Sequence, residues 1–309
     1  MLISSNMKIL RLTAAPFLVL VIVQYTFAQQ IADPLFNTQV ERPTYTRNYP
    51  RVLFDEAHNN FHTAKGRYKP FADLITNDGY NIISGFKPFT KESLETFKIL
   101  IIANALGAED DEDDGADSSA FTEAEIGAVH QWVRQGGALL LIADHAPFGG
   151  AAEALGKQFG VEMSRGFAFD LEHSLDGAVS ILVFSRENNL LLDHPITRGR
   201  DENERINRIV TFTGQALKAP DGAAVFLKLG DGARDKPSHT AETSVPVGGQ
   251  AQGIAFKYGK GRVVMLGEAA MLSAQIAGSN KTPMGMNAPE NDNRQLALNI
   301  MHWLSGALK

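Results

Sequence analysis

Asp55-Glu56-Ala57-His58-Asn59-Asn60-Phe61-His62 follows directly on the apolar run Val52-Leu53-Phe54. Two carboxyl groups and two imidazoles at the end of a strand are the raw material of acid–base chemistry, and the asparagines add uncharged groups that orient a ligand. The same pairing recurs later. "ALLLIADH" ends in Asp144-His145, "RVVMLGE" ends in Glu268, and "KILIIANA" carries Asn104 near its end.

These residues become one hypothesis only if the runs before them are neighbouring strands. Strands apolar on both faces, alternating with helices, predict a parallel sheet covered on both sides, a doubly wound α/β fold. "KPFADLITNDG" reads as a helix with Pro70 in its first turn and Gly79 at its stop, and "TKESLETF" as a short helix capped by Thr90. In "FTEAEIGAVHQWVRQGG", Thr122 and Glu125 have capping-box spacing and Gly136-Gly137 end the helix. "AVSILVF" and "AAVFLKL" look like strands, and residues 195–208 like loop plus a short helix. "QGIAFKYGKGRVVMLGE" reads as a β-hairpin about Gly259-Lys260-Gly261, and "NDNRQLALNIMHWLSGAL" as an amphipathic helix with Leu296, Ile300 and Leu304 on one face.

Open parallel sheets bind ligands at the carboxyl ends of their strands. That rule gathers Asp55, Glu56, His58, Asn59, His62, Asn104, Asp144, His145 and Glu268 at one edge. Helix starts at Gly149-Gly150 and near Asn293 would add backbone N–H donors, with Asn293 and Arg294 as further ligand contacts. His58 and His62 have i,i+4 spacing, which serves a metal only in a helix, and a segment leaving a strand is not one. His194, His239 and His302 are expected to be structural or superficial. The acidic run Glu109 to Ser119 fails as an EF-hand, because Phe121 stands where the twelfth-position Glu is needed, and reads as a solvated loop. No phosphate loop, dinucleotide fingerprint or serine elbow is present.

Composition narrows the partners. Lys8 and Arg11 precede an apolar run from Ala14 to Val23, and Thr26-Phe27-Ala28 closes it. This predicts a secretory signal peptide over 1–28, cut near Ala28, and a periplasmic or secreted protein without stable membrane insertion. Residues 29–50 read as an extended arm. The net charge is −6, and more negative still without the leader, which argues against nucleic acid and anionic membranes as partners. The chain has no cysteine, so disulfides, thiolate ligands and a Cys nucleophile are excluded.

The segments "VLFDEAHNNFH", "KILIIANAL", "GGALLLIADHAPFGGAAEALGKQFGV", "DHPITRG", "YGKGRVVMLGEAAMLSAQ" and "NDNRQLALNIMHWL" together resemble exported bacterial proteins grouped with the class I glutamine amidotransferase-like fold. The resemblance spans about 50 to 309. It implies a single α/β domain over 51–309, of flavodoxin and amidotransferase type, and a fold more than a function. Members with glutaminase activity carry a Cys on the turn after a central strand. Here that strand ends in Asp144-His145, so glutaminase chemistry by that route is excluded.

Two readings stay open. One is a hydrolase or lyase for a small or sugar-like molecule, with Asp144 or Glu268 as base, His145 or His58 as acid or orienter, and Asn59 and Asn104 holding the substrate. A metal-assisted version would place a divalent ion on His58, His145 and a carboxylate such as Glu56. The other is a non-catalytic domain that binds a ligand or partner in the cell envelope.

Overall fold

A computed structural model describes residues 30–309. The predicted signal peptide falls outside the described residues. Eleven strands and six helices position the site. The strands are β1 (Arg51–Asp55), β2 (Asn81–Gly85), β3 (Ile99–Ala103), β4 (Ala138–Ile142), β5 (Ala178–Ser185), β6 (Arg208–Phe212), β7 (Ala224–Lys228), β8 (Ala251–Tyr258), β9 (Gly261–Leu266), β10 (Ala274–Ala277) and β11 (Thr282–Gly285). The helices are α1 (Lys69–Asn77), α2 (Lys91–Leu94), α3 (Glu123–Gln135), α4 (Phe148–Gln158), α5 (Pro195–Arg198) and α6 (Asn293–Ser305).

The main sheet runs β2-β1-β3-β4-β9-β8, all parallel through β9, with β8 antiparallel at the hairpin end. This is the doubly wound fold that the sequence predicts. The β8–β9 hairpin does more than close the chain, because β9 adds the fifth parallel strand, in register with β4 from Arg262 opposite Ala138 to Leu266 opposite Ile142. Alternate residues of each strand enter opposite cores. Phe54, Ile101, Leu140 and Ile142 pack on the α1 and α6 side, while Leu53, Leu100, Leu139 and Leu141 pack on the α2, α3 and α4 side. Two buried faces per strand are why the strands read as unbroken apolar runs.

Local signals act as their chemistry demands. Thr122 and Glu125 cap each other at the start of α3, and Thr90 accepts from the Ser93 N–H at the start of α2. Gly79 follows α1 at φ 96, where an added Cβ would lie 1.9 Å from the Tyr45 carbonyl oxygen. Only glycine fits both the conformation and the contact.

The final helix turns Leu296, Ile300 and Leu304 into the core as expected, and its polar positions are covered too, so that every residue from Leu296 to Leu304 is buried. Its polar members are tied down, Asn299 to the Ile196 and Glu204 carbonyls and His302 to Asp78 at 2.8 Å and Thr44 at 2.7 Å. The N-terminal arm and the α5 segment both pack on it, through Thr44 and through the Ile196 and Glu204 carbonyls. One expectation needs correction: the arm is not simply extended. It adds a two-residue strand, Ile31–Ala32, beside β10, then returns along α1 so that the Thr44 and Tyr45 amides bond to Asp78. No helix among the described residues is long and apolar enough to cross a membrane.

Candidate functional site

Above the carboxyl ends of β1, β3 and β4 lies a cavity of about 790 Å³. Its floor is His62 from the segment after β1, Asn104 after β3, and Asp144 and His145 after β4. Its walls come from outside the main sheet. The antiparallel pair β5–β6 supplies Ser180, Ile181, Val210 and Phe212, and the β10–β11 hairpin supplies Gln275 and Met284.

Asn104 takes a left-handed conformation, φ 50, that asparagine tolerates better than most residues. This turns its Oδ1 to accept the Asp144 N–H at 3.0 Å, so one strand end positions the other. Asp144 Oδ1 in turn accepts the His145 N–H at 2.8 Å. Gln215 locks the same corner from below, donating to the Ala143 and Asp144 carbonyls at 2.9 and 3.0 Å. Burial pushes the Asp144 carboxyl above its ordinary range, while His145, the His145 and Ala269 backbone and Asn104 pull it back only partly.

Glu268 lies behind Asp144, fully buried, with its two oxygens accepting the Ala270 and Met271 N–H groups at 2.7 Å each. Burial and the nearby Asp144 push it well up against those bonds. Two carboxyl groups in one dry region disfavour each other's ionisation, so the pair titrates as a unit. Tyr68 seals the region, donating to the Ala269 carbonyl at 2.5 Å.

His145 sits half-buried, its ring stacked on Phe167 at 4.5 Å. Its Nδ1 lies 2.7 Å from the Ala146 carbonyl oxygen, a contact that requires N–H on that nitrogen. In the neutral ring, Nε2 is the nitrogen that carries the lone pair. His62 is stacked on Tyr68 at 4.7 Å, and burial, with Arg67 nearby, brings it down to about 3, so its imidazole is neutral.

The structure thus brings together Asn104, Asp144, His145 and, behind them, Glu268. It brings in His62 as well, but not the others. His58 is buried between Phe89 and Phe121, with Nδ1 on Asp55 at 2.9 Å and Nε2 on Glu125 at 2.8 Å; both ring nitrogens are engaged, so neither is available to a metal or a substrate. Glu56 is held by the Ser84 hydroxyl and the Ala64 N–H, and Asn59 is exposed on a separate, smaller depression. The set expected to hold a metal, His58, His145 and Glu56, is therefore split, and no group of three or more such ligands converges among the described residues. Asn293 spends its amide on the Val210 backbone in both directions, and Arg294 clasps the Asn37 and Gln39 carbonyls of the arm. The start of α4 is no open donor site, because the Phe148 N–H bonds to the His145 carbonyl and the Gly150 and Ala151 N–H groups bond to the Pro147 carbonyl.

Three cavity residues have no specific role in the two readings drawn from the sequence: His62, His239 and Gln275. His62 belongs to the same polar string as His58, and only the turn between them decides which one enters. His239, expected to be structural or superficial, is exposed and stacks over Phe167 at 3.8 Å, which puts it on the rim beside His145. Nothing in the sequence marks Gln275.

No known family's profile matches the chain, and no curated protein matches it. Among solved structures it is similar to the mmIFT52 N-terminal domain, with 16% identity, a TM-score of 0.60, and coverage of 82% of this chain and 97% of that one. A ThuA-like protein from Bacteroides uniformis aligns at 13% identity over 88% of this chain and 95% of its own, with a TM-score of 0.43. A GMP synthase component from Thermoplasma acidophilum aligns at 11% identity over 84% and 96%, also with a TM-score of 0.43. At such identities the likeness is one of fold alone.

Proposed function

We propose that the protein is a hydrolase or lyase for a small molecule bound in this cavity, with His145 Nε2 as the base and Asp144 as the acid. The observation that carries the reading is their adjacency: a carboxyl group raised by burial stands beside an imidazole whose Nδ1 proton is committed to a backbone carbonyl. Of the proton-sharing pair, Asp144 is the member that lines the cavity, so it presents the proton to a leaving group while His145 takes one from water or substrate. The signal-like leader supports placing this activity outside the cytoplasm.

A second reading has its own support. Glu268 is sealed from the cavity by its own backbone bonds, so only one of the expected two carboxylates reaches the ligand space. A non-catalytic binding domain needs no more than that. Purified protein screened against glycosides and esters, with Asp144→Asn and His145→Ala alongside, separates the two. Catalysis predicts that each variant loses turnover by about 10²–10⁴-fold, with ligand-induced stabilisation retained in at least one. Stabilisation by a ligand without turnover in any form of the protein would favour the binding reading. Turnover and binding both unchanged in the variants would refute the site.

A further inference from the structure

The cavity's charge pattern and its fixed hydrogen-bonding groups define the kind of molecule it takes. We propose that it takes an uncharged, hydroxyl-bearing molecule with an apolar face, a glycoside or cyclic polyol, and rejects anions, with Gln275 and Ser180 reading hydroxyl groups. The proposal rests on the cavity being a ligand site, as argued above.

Charge comes first. Among the described residues, those ionisable groups that line the cavity are Asp111, Asp144 and three histidines, and none is a Lys or Arg. A phosphate or carboxylate entering would meet two carboxyl groups and no permanent cation. The nearby Arg67 does not compensate. It lies outside the cavity lining, with its guanidinium 4.0 Å over the Phe61 ring, its Nε donating to the Gln30 carbonyl and its Nη1 buried without a partner among the described residues. His62 adds no positive charge either, being held neutral.

The hydrogen-bonding groups come second. Ser273 Oγ donates to the Ala270 carbonyl at 2.8 Å, so toward Gln275 it can only accept, and it takes the Gln275 Nε2 proton at 2.7 Å. This fixes the amide. Gln275 Oε1 is left as an acceptor with no protein partner on a residue only 1% exposed. An unpaired buried acceptor is costly, and a ligand O–H removes that cost where an anionic oxygen does not. On the β5 wall, Ser180 Oγ accepts from Thr213 Oγ1 at 2.8 Å and keeps its own proton to donate. One fixed acceptor and one donor, set among Phe148, Phe212, Ile181 and Val210, match a ring that carries hydroxyls on its edge and C–H groups on its face.

The test is a thermal-shift and calorimetric series on the purified chain at pH 7. Its probes share one ring: neutral methyl glycosides and cyclitols, the corresponding uronic acids and sugar phosphates, and the amino sugars. The expected result is saturable binding of a neutral probe, at least about 10-fold weaker for its anionic counterpart. Gln275→Met should weaken the neutral probe about 10-fold, and Ser180→Lys, on the half-buried wall, should bring anionic probes in. Anionic or amino probes binding as well as neutral ones would overturn the inference and leave the ligand site standing. No probe binding at millimolar concentration overturns it as well, and if Asp144→Asn then also leaves every measured turnover unchanged, the site reading falls with it.

Discussion

Glu125→Gln is the substitution that most directly separates a structural role for His58 from a catalytic one. Burial works against charge on both partners of this contact. His58 is nonetheless raised, because Asp55 and Glu125 bond to its two ring nitrogens, and Glu125 is brought down to about 2 by the Thr122 N–H, His58, the Thr122 hydroxyl and the Phe89 N–H. A fall from 4.5 to about 2 corresponds to roughly 3 kcal/mol. With the Glu125 side chain 9% exposed, solvent screening trims this modestly, to about 2–3 kcal/mol. A depressed carboxylate contributes stability above its unfolded value and loses it as pH falls toward the folded one. A raised histidine contributes below its unfolded value and loses it as pH rises through the folded one. The cluster is therefore worth most near pH 5.5. Urea and thermal unfolding should show Glu125→Gln lower by about 2–3 kcal/mol there, or roughly 5–10 °C in Tm, shrinking to ~1 kcal/mol at pH 3. Ligand response of the main cavity should be intact. A penalty under about 0.5 kcal/mol at pH 5.5, or one that does not shrink at pH 3, refutes the ion-pair account. Loss of cavity function at full stability would return His58 to the site.

Asp144→Asn should show the opposite pH trend. Where burial raises both carboxyl groups, the folded state binds more protons than the unfolded one, so the wild type loses stability as pH rises above about 4. The variant escapes part of that loss, and its Tm should gain on wild type from pH 4 to pH 8; a Tm difference that stays constant, or a variant that falls further behind as pH rises, would contradict the shared proton. Gly79→Ala forces a positive φ and a 1.9 Å contact with the Tyr45 carbonyl, and should cost more than about 2 kcal/mol in urea unfolding while sparing the cavity. Leu140→Ala, in a fully buried strand between two parallel neighbours, should cost about 2–5 kcal/mol, and a smaller loss would mean that the core closes over the gap.

The sheet was legible because its signals are local. Apolar runs of strand length, a capping box at Thr122 and Glu125, and glycines after α1 and α3 each act within a few residues, and the parallel pairing follows from their alternation. The walls of the cavity were not legible. Strands β5 and β6 pair with each other across a charged stretch, and β10 pairs with both β11 and the N-terminal arm. Such contacts depend on long-range placement, which no periodicity encodes. Gln275 is the clearest case, because its importance comes from Ser273 fixing its amide and from the cavity it borders, neither visible as a motif.

The exchange of His58 for His62 shows how narrow the margin is. Alternation along a strand would put Glu56 and His58 on one face, but β1 ends at Asp55 and the chain turns at once. Asn60 accepts the His58 N–H at 3.1 Å, and Asn59 adopts φ 47, a left-handed conformation that favours asparagine. After that turn period two no longer applies. His58 falls back into the α3 layer against Phe89 and Phe121, and His62 emerges against Tyr68 in the opposite layer, where the cavity is. The two asparagines thus sort two otherwise equivalent histidines, one into a buried contact with Asp55 and Glu125 and one onto the floor of the cavity. The polar string after the first strand is neither a solvated edge nor a single cluster, because one turn divides it between the scaffold and the cavity.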